Sequence, residues 1–209
     1  MIKAVIFDFG NVIVETKDSK LKKILKKYGL NEKVYRKGHK VYKLYSLGLF
    51  KNDKEYLDVY SKILKLKNPL KPKFIDELLK ETFDVRPSTV NLLKKLKKRY
   101  KIVLATNFVE SWVKKVLKNL GIAKFFDLLV VSSKIKVRKP NPLFFHHIIK
   151  KLKLKPEECL FISDELNEDL SGAKVIGMKT VWLKKKKEIM TFKPDFVIDE
   201  LRQILRILG

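Results

Sequence analysis

Asp8 interrupts an apolar run near the start of the chain, in the segment VIFDFGNVIVET at residues 5–16. Such a run of Ile, Val and Phe predicts a strand buried on both faces, where an unpaired ionised acid would be very unfavourable. Asp8 is therefore expected at the end of this strand, and the pair Gly10-Asn11 is expected to form the turn that leaves it. A carboxylate in this position either caps the turn or belongs to a ligand crevice, and the rest of the chain decides between the two.

Three further apolar runs end in polar residues. Thr106-Asn107 follows KIVLA, and Ser132-Ser133 follows DLLVV. Asp164 follows ECLFIS. Lys139 stands directly before Pro140 in KIKVRKPNPLFF, where an extended segment precedes a helix expected to begin near Pro142. In an open parallel sheet the carboxyl ends of the strands face one crevice, so these groups are expected to form a single site.

Carboxylates and a lysine at one sheet edge suit phosphoryl transfer. Asp8 and Asp164 would repel one another without a cation between them, and hard oxygen ligands of this kind suit Mg²⁺. Mg²⁺ and Lys139 would neutralise the equatorial oxygens of a transferring phosphoryl group, while the Thr106 hydroxyl and main-chain N–H groups would hydrogen-bond them. Asp8 would then lie in line as the nucleophile.

The elements that must position these residues alternate from residue 85 onward. Short apolar runs follow amphipathic stretches of helix length, which predicts an α/β fold, a Rossmann-like parallel sheet with helices on both faces. The first run, KAVIFD, belongs to the same pattern, and DFVID and ELRQILRIL add a last strand and helix. Residues 1–15 and 85–209 are therefore predicted to form a catalytic core.

Residues 16–84 depart from this alternation and are helical in period. Three helices are predicted in it, at SKLKKILKKYGL, DKEYLDVYSKILKLK and KFIDELLKETF, and the second begins on an Asp cap. Breaks are expected at Gly29, Gly38, Gly48 and Pro69 to Pro72. The segment is predicted to be a small all-helical cap domain that overhangs the carboxyl ends of the sheet as a lid. Most of its aromatic residues, among them Tyr42, Tyr45, Phe50 and Tyr56, are expected in the lid's own core.

The composition restricts the compartment and the partners. No stretch approaches the ~20 apolar residues of a membrane helix and the opening segment lacks signal-peptide features, so a cytoplasmic protein without a membrane partner is expected. Cys159 is the single cysteine, which excludes an internal disulfide and a Cys-based zinc cluster and predicts a core position. Lysine-rich surfaces with few glutamines are also typical of heat-adapted proteins.

The formal net charge of +25 would attract anions. The lysines lie on predicted helix faces beside apolar stripes, and no nucleic-acid motif accompanies them. Nucleic acid is therefore an unlikely partner, and a small phosphate ester is the expected one.

In order and spacing, four segments resemble the motifs of the haloacid dehalogenase superfamily of hydrolases. They are Asp8 in VIFDFGNVI, Thr106-Asn107 in VLATNF, Lys139 in VRKPNPLFF, and Asp164 with Asp169 in FISDELNEDLSGAKVIGMKTVWL. The segment YSLGLFKNDKEYLDVY also resembles the short helical cap of members that carry a lid between the first and second motifs. The resemblance implies a hydrolase, and specifically a Mg²⁺-dependent phosphatase that acts on a small phosphorylated metabolite through an aspartyl-phosphate.

The resemblance also implies a role for each matching residue. Asp8 would be the nucleophile, Thr106 the phosphate-binding hydroxyl with Asn107 beside it, Lys139 the charge that steadies nucleophile and phosphate, and Asp164 a metal ligand. Asp169 would support the metal through water or orient Lys139, and the main-chain carbonyl of Gly10 could coordinate the metal.

Gly10 departs from the pattern of the superfamily's phosphatases, which usually carry a second aspartate two residues after the nucleophile. That aspartate protonates the leaving oxygen and then activates water, and such acid–base help is worth ~10²–10⁴ in rate. His39 and Glu15 are the candidates to replace it.

Two alternatives remain open. In a 2-haloacid dehalogenase the aspartate displaces halide without a metal, but the usual first motif has an aromatic residue at the position of Gly10 and a Gly-Thr pair after it. The other alternative, which Gly10 motivates, is a protein of this fold that binds a phosphorylated ligand or a partner and turns over little.

Overall fold

A computed structural model describes residues 1–185, 189–190 and 192–209 of the chain. The strands within these residues are β1 (Ala4–Phe7), β2 (Glu15–Thr16), β3 (Phe83–Asp84), β4 (Lys101–Thr106), β5 (Leu128–Val131), β6 (Cys159–Ser163), β7 (Lys179–Leu183) and β8 (Phe196–Ile198). The helices are α1 (Asp18–Lys27), α2 (Glu32–Lys37), α3 (His39–Tyr45), α4 (Asp53–Ile63), α5 (Pro72–Glu81), α6 (Pro87–Leu96), α7 (Glu110–Asn119), α8 (Ser132–Ile135), α9 (Pro142–Leu152), α10 (Ser171–Val175) and α11 (Ile204–Leu208). No helix among the described residues is both long and apolar enough to cross a bilayer.

Six strands form one parallel sheet in the order β5-β4-β1-β6-β7-β8. Strand β1 is central, with Phe7 paired to Leu104 of β4 on one side and to Ile162 of β6 on the other. The predicted parallel α/β architecture is therefore confirmed. Because β4, β1 and β6 are neighbours, the residues that follow them emerge side by side at one edge.

The sheet is buried on both faces, as the uninterrupted apolar runs predict. Along β1, Val5 and Phe7 pack into one core cluster, whereas Ala4 and Ile6 pack into a second cluster on the opposite face. Cys159 is fully buried in the second cluster, which confirms the core position predicted for it.

The helical segment between β2 and β3 contains five helices where three were predicted. The additional helices α2 and α3 are short and meet at Gly38, where a Cβ atom would overlap the ring of Tyr60. The N-cap of α4 is Asn52, whose side chain accepts a hydrogen bond from the Glu55 N–H (3.0 Å), so the predicted Asp53 cap was one residue late. The division into a core and a cap domain stays a prediction.

Most of the lid's aromatic residues form a core, as expected. Tyr45 and Tyr56 are buried and stack on one another, with ring centroids 4.8 Å apart. Phe50 packs against both rings, and Tyr42 stacks on Trp112 of α7. This aromatic cluster joins the helices of the segment to the helix that follows β4.

The helical segment leaves and rejoins the core at adjacent points. Strands β2 and β3 form a two-stranded antiparallel ladder in which Glu15 pairs with Asp84 and Thr16 with Phe83. The Lys17 N–H donates to the Thr82 carbonyl (2.7 Å) one step further along. The two connections between the helical segment and the rest of the chain are therefore joined to each other by main-chain hydrogen bonds.

Gly172 allows α10 to approach the loop that carries Lys139. A Cβ atom at Gly172 would overlap the carbonyl oxygen of Pro140, which belongs to the main chain and cannot rotate away. Gly172→Ala is therefore expected to lower the free energy of unfolding by about 1–3 kcal/mol, as overpacking usually does. The midpoint of urea unfolding measures the loss, with an unchanged m-value.

The matched control for this substitution is Gly10→Ala. No atom lies within 4 Å of a Cβ built at Gly10, so this variant is expected to unfold at the wild-type urea concentration. Equal stability of the Gly172→Ala variant and the wild type would contradict the close approach.

Candidate active site

Asp8 directly follows β1 and lies at the carboxyl edge of the sheet. Its main-chain N–H donates to the Ile162 carbonyl (2.9 Å), which holds the end of β1 against β6. The side chain is largely buried, and its Oδ1 accepts a hydrogen bond from the Lys139 ammonium at 2.6 Å. The predicted pair of carboxylate and lysine therefore forms in the structure, across 131 residues of sequence.

Lys139 bridges two carboxylates. Its side chain is 1% exposed, and its Nζ lies 2.6 Å from Asp8 and 2.5 Å from Asp169. Ser163 donates from its Oγ to the same Asp169 oxygen at 2.8 Å. Asp169 thus makes the contact that orients Lys139, which is one of the two roles considered for it from the sequence. The contribution of Ser163 was not anticipated, because it ends a strand as an ordinary small residue.

The charges in this cluster shift one another's ionisation. Burial raises the pKa of Asp8 to about 7, an effect that Lys139 opposes and Asp169 reinforces. Burial alone would lower the pKa of Lys139, but the attraction of Asp169 and Asp8 outweighs it and the pKa is raised. Lys139 therefore stays an ammonium ion between its two partners at neutral pH.

Asn107 fixes the main chain of Lys139 rather than pointing a free amide into the site. Its Oδ1 accepts from the Lys139 N–H (2.9 Å), and its Nδ2 donates to the Lys139 carbonyl (3.1 Å). Its own carbonyl accepts from the Tyr42 hydroxyl at 3.2 Å. These contacts support a positioning role for Asn107, and the substrate-binding role expected for it stays a prediction.

The polar residues after β4 and β5 have different surroundings. Thr106 ends β4 beside β1 and is buried. Ser132 and Ser133 begin α8 instead of facing the crevice: the Ser132 Oγ donates to the Ser46 carbonyl (2.5 Å), and the Ser133 Oγ accepts from the Glu110 N–H (2.9 Å). The two serines therefore brace neighbouring elements, contrary to the expectation that all four strand ends point into one site.

Asp164 follows β6, the neighbour of β1, and is held from two sides. Its Oδ2 accepts from the Asn11 side chain at 3.0 Å, and its carbonyl accepts from the Trp182 indole at 3.1 Å. Asn11 has a φ of 55°, a left-handed conformation that asparagine tolerates, in the predicted turn after β1. Neither Asn11 nor Trp182 was assigned to the site from the sequence, although Asn11 stands in its first motif.

The donor set at this edge fits Mg²⁺. Burial raises the pKa of Asp164, as it does for Asp8, so both acids would gain from a nearby cation. No three or more His, Cys, Asp or Glu side chains in the described ranges are arranged to hold a metal ion. That is compatible with Mg²⁺, which usually takes one or two carboxylates and keeps several waters. Asp8, Asp164 and the Gly10 carbonyl are the candidate ligands.

Neither candidate replacement for the missing acid touches Asp8 within the described part of the chain. Glu15 forms an ion pair with Arg86 at 2.6 Å beside the β2–β3 ladder. His39 begins α3 at a largely exposed position, and partial burial together with Lys43 and Arg138 lowers its pKa. The contacts thus favour neither residue as the general acid.

A contact between the helical segment and the Lys139 loop was not predicted. Arg138, next to Lys139, donates from its guanidinium to the Ser46 hydroxyl at the end of α3. The Ser46 carbonyl accepts from Ser132, so the hydroxyl and the carbonyl of Ser46 both bind residues outside the helical segment. The loop that presents Lys139 is therefore tied to the helical segment directly.

Several proteins of known name match part of the chain, among them a phosphatase and a pyrophosphatase. The glyceraldehyde 3-phosphate phosphatase of Pyrococcus furiosus is 38% identical over 112 residues, which cover 51% of this chain and 46% of the relative. The pyrophosphatase PpaX of Bacillus anthracis is 34% identical over 138 residues, covering 64% of this chain and 62% of the relative. The matched part thus spans about half to under two thirds of each relative.

Solved structures share the fold over most of the chain. A haloacid dehalogenase family enzyme of Bacteroides thetaiotaomicron, in complex with magnesium and inorganic phosphate, has a TM-score of 0.76 and 21% identity and covers 90% of this chain and 97% of its own. The L-2-haloacid dehalogenase of Xanthobacter autotrophicus has a TM-score of 0.74 and 20% identity, covering 100% and 98%.

The sequence profile of the haloacid dehalogenase-like hydrolases matches residues 2–177, which include Asp8, Thr106, Lys139, Asp164 and Asp169. This match spans most of the chain and both sides of the predicted lid. The chain therefore belongs to the haloacid dehalogenase-like hydrolase family.

Proposed function

We propose that this protein is a Mg²⁺-dependent phosphatase that hydrolyses small phosphate monoesters through an aspartyl-phosphate on Asp8. The observation that carries the proposal is the buried contact of 2.6 Å between the Asp8 carboxylate and the Lys139 ammonium at the carboxyl edge of the sheet. The names of the two relatives, a sugar-phosphate phosphatase and a pyrophosphatase, support phosphoryl chemistry.

In the first step, an Asp8 oxygen bonds to phosphorus while the bond from phosphorus to the alcohol oxygen breaks. Lys139 and the Thr106 hydroxyl stabilise the negative charge on the phosphoryl oxygens, and Asp169 holds the lysine in place. Water then attacks the aspartyl-phosphate, releasing inorganic phosphate and restoring Asp8. Mg²⁺, held by Asp8, Asp164 and the Gly10 carbonyl, would neutralise part of the phosphoryl charge.

The leaving alcohol needs a proton, and the side chain that contacts Asp8 among the described residues is the Lys139 ammonium, whose raised pKa makes it a poor acid. Because Gly10 supplies no acid, this proton comes from water or from the substrate. Esters whose alcohols leave readily should therefore react faster than simple alkyl phosphates, since they depend less on acid catalysis.

The test is release of phosphate from p-nitrophenyl phosphate, sugar phosphates and nucleotides, with Mg²⁺ or with a chelator. Metal-dependent turnover of at least one ester is the expected result. The same preparation is tested for chloride release from 2-chloropropionate. Chloride release without phosphate release would assign the chain to haloacid chemistry, and neither product from a folded protein would favour a binding protein.

Asn107 offers a test of the positioning role. Asn107→Ala removes both hydrogen bonds to the Lys139 main chain, and the resulting shift of the ammonium group should lower kcat by about 10- to 100-fold. Steady-state kinetics on the best ester of the panel measures the change.

The control for Asn107→Ala is Asn141→Ala, in the same loop. Asn141 caps α9 through the Leu143 N–H and does not contact Lys139 through its side chain. This variant should lose about 0.5–2 kcal/mol of stability and keep its kcat. Equal kcat values for wild type and the Asn107→Ala variant would show that Lys139 is held by Asp8 and Asp169 alone.

A further inference from the structure

A large cavity lies between the helical segment and the helix that follows β4. Its volume is about 650 Å³, within the ~300–1,000 Å³ range of ligand sites. Its wall is mainly apolar: aliphatic side chains stand beside aromatic ones, which include Tyr35, Tyr42, Tyr56, Tyr60, Phe108 and Trp112. Packing defects of this size do not occur in well-packed interiors, whose voids seldom exceed one water molecule.

The cavity adjoins the residues that position Asp8 and Lys139. Phe108 follows Asn107 in the chain, and its ring lies 5.6 Å from that of Phe9, the residue after Asp8. Tyr42, another wall residue, donates its hydroxyl to the Asn107 carbonyl. The wall residue Phe108 thus packs against the neighbour of Asp8 and directly follows Asn107, which supports the main chain of Lys139. Arg36 and His39 line the cavity at exposed positions.

Two tyrosine hydroxyls in the wall, those of Tyr35 and Tyr56, make no hydrogen bond to a described residue, and Tyr56 is the more buried of the two. Tyr42 donates to the Asn107 carbonyl and Tyr60 to the Tyr35 carbonyl (2.9 Å), but Tyr56 makes no hydrogen bond to any described residue. Tyr56 is 4% exposed, and its pKa is raised far above its ordinary value by burial and by the neighbouring tyrosines, so the hydroxyl keeps its proton. Buried polar groups without partners are rare, and a ligand atom is one way to satisfy them.

We propose that this cavity holds the organic part of the substrate, and that this part is a flat apolar group with one hydrogen-bond acceptor for the Tyr56 hydroxyl. Aromatic walls favour planar rings, which stack or pack edge to face on them. The inference rests on the proposed phosphatase function and narrows it: aryl or similarly apolar phosphate monoesters are preferred over three-carbon sugar phosphates.

Binding of 2-naphthol, which carries no phosphate, tests the cavity independently of turnover. Isothermal titration calorimetry should show binding of one molecule to the wild type. Tyr56→Phe keeps the ring and removes the hydroxyl, so affinity should fall by about 5- to 10-fold, the value of one hydrogen bond. Ile75→Trp places an indole inside the cavity and should abolish binding.

The matched control is Tyr45→Phe. Tyr45 stacks on Tyr56, but its hydroxyl donates to Asp53 (2.6 Å) and its side chain does not line the cavity. This variant should bind 2-naphthol as the wild type does. Equal losses in the Tyr45→Phe and Tyr56→Phe variants, or no binding to the wild type, would overturn the inference.

Turnover separates this inference from the proposed function. The wild type should prefer 2-naphthyl phosphate to glycerol 3-phosphate in kcat/KM by about tenfold or more, and Ile75→Trp should remove the preference while sparing the smaller ester. Hydrolysis of glycerol 3-phosphate without any such preference would overturn the inference and leave the phosphatase intact. Binding of 2-naphthol without hydrolysis of any ester would overturn the proposed function and the substrate role together.

Discussion

Asp8→Asn should abolish phosphate release, by about 10⁴-fold or more, as removal of a nucleophile does in other covalent mechanisms. The amide has nearly the size of the carboxylate but cannot form the bond to phosphorus. Lys139 keeps its ion pair with Asp169 in this variant, so the fold should persist. Phosphate release from the best ester of the panel, together with circular dichroism, measures both expectations.

The control for this substitution is Asp199→Asn. Asp199 also follows a strand of the same sheet, β8, but it is exposed at the edge. This variant should keep wild-type kinetics. Turnover by the Asp8→Asn variant within about tenfold of the wild type would show that another group attacks phosphorus, because no covalent mechanism tolerates loss of its nucleophile so well.

Gly10→Asp should raise turnover, by up to ~10²–10⁴ for esters with poor leaving groups. A side chain at Gly10 meets no atom within 4 Å of its Cβ, so the acid has room in the existing turn. It would stand two residues after Asp8, where it can protonate the leaving oxygen and later activate water. The gain should be larger for an alkyl phosphate than for p-nitrophenyl phosphate, whose leaving group needs no proton.

Gly10→Asn separates acid catalysis from a change of shape. Asparagine fills the same space without an ionisable proton, so this variant should react at the rate of the wild type. The ratio of the rates for alkyl and aryl esters is the informative quantity. Equal ratios in the Gly10→Asp and Gly10→Asn variants would mean that protonation of the leaving group does not limit this enzyme.

Much of the sheet and the centre of the site could be predicted because they depend on local patterns. A charge that ends an apolar run can only lie where the strand leaves the core, which places Asp8 and Asp164 at strand ends. The parallel sheet then brings these ends to one edge. Lys139 could be found because Pro140 and Pro142 fix the shape of its loop. Beyond these local patterns, the inferences required only the order of the strands in the sheet. The alternation of strands and helices largely determines that order.

The remaining features depend on contacts between distant segments. The sequence does not reveal that the Asn107 amide binds the main chain of Lys139, 32 residues away. The bond from Ser132 to Ser46 spans 86 residues and leaves no local pattern. Helices α2 and α3 are too short to show a clear period, since each has fewer than two full turns that could reveal a buried face.

The short β2–β3 ladder affects how the helical segment between its strands could evolve. The chain leaves the sheet after Glu15 and returns at Asp84, and these two residues are direct partners. The helical segment between Glu15 and Asp84 therefore begins and ends at one place. A longer, shorter or different segment there needs no rearrangement of the six-stranded sheet. Under the proposed function, the segment that borders the substrate cavity can therefore change in length or sequence while the residues around Asp8 keep their positions.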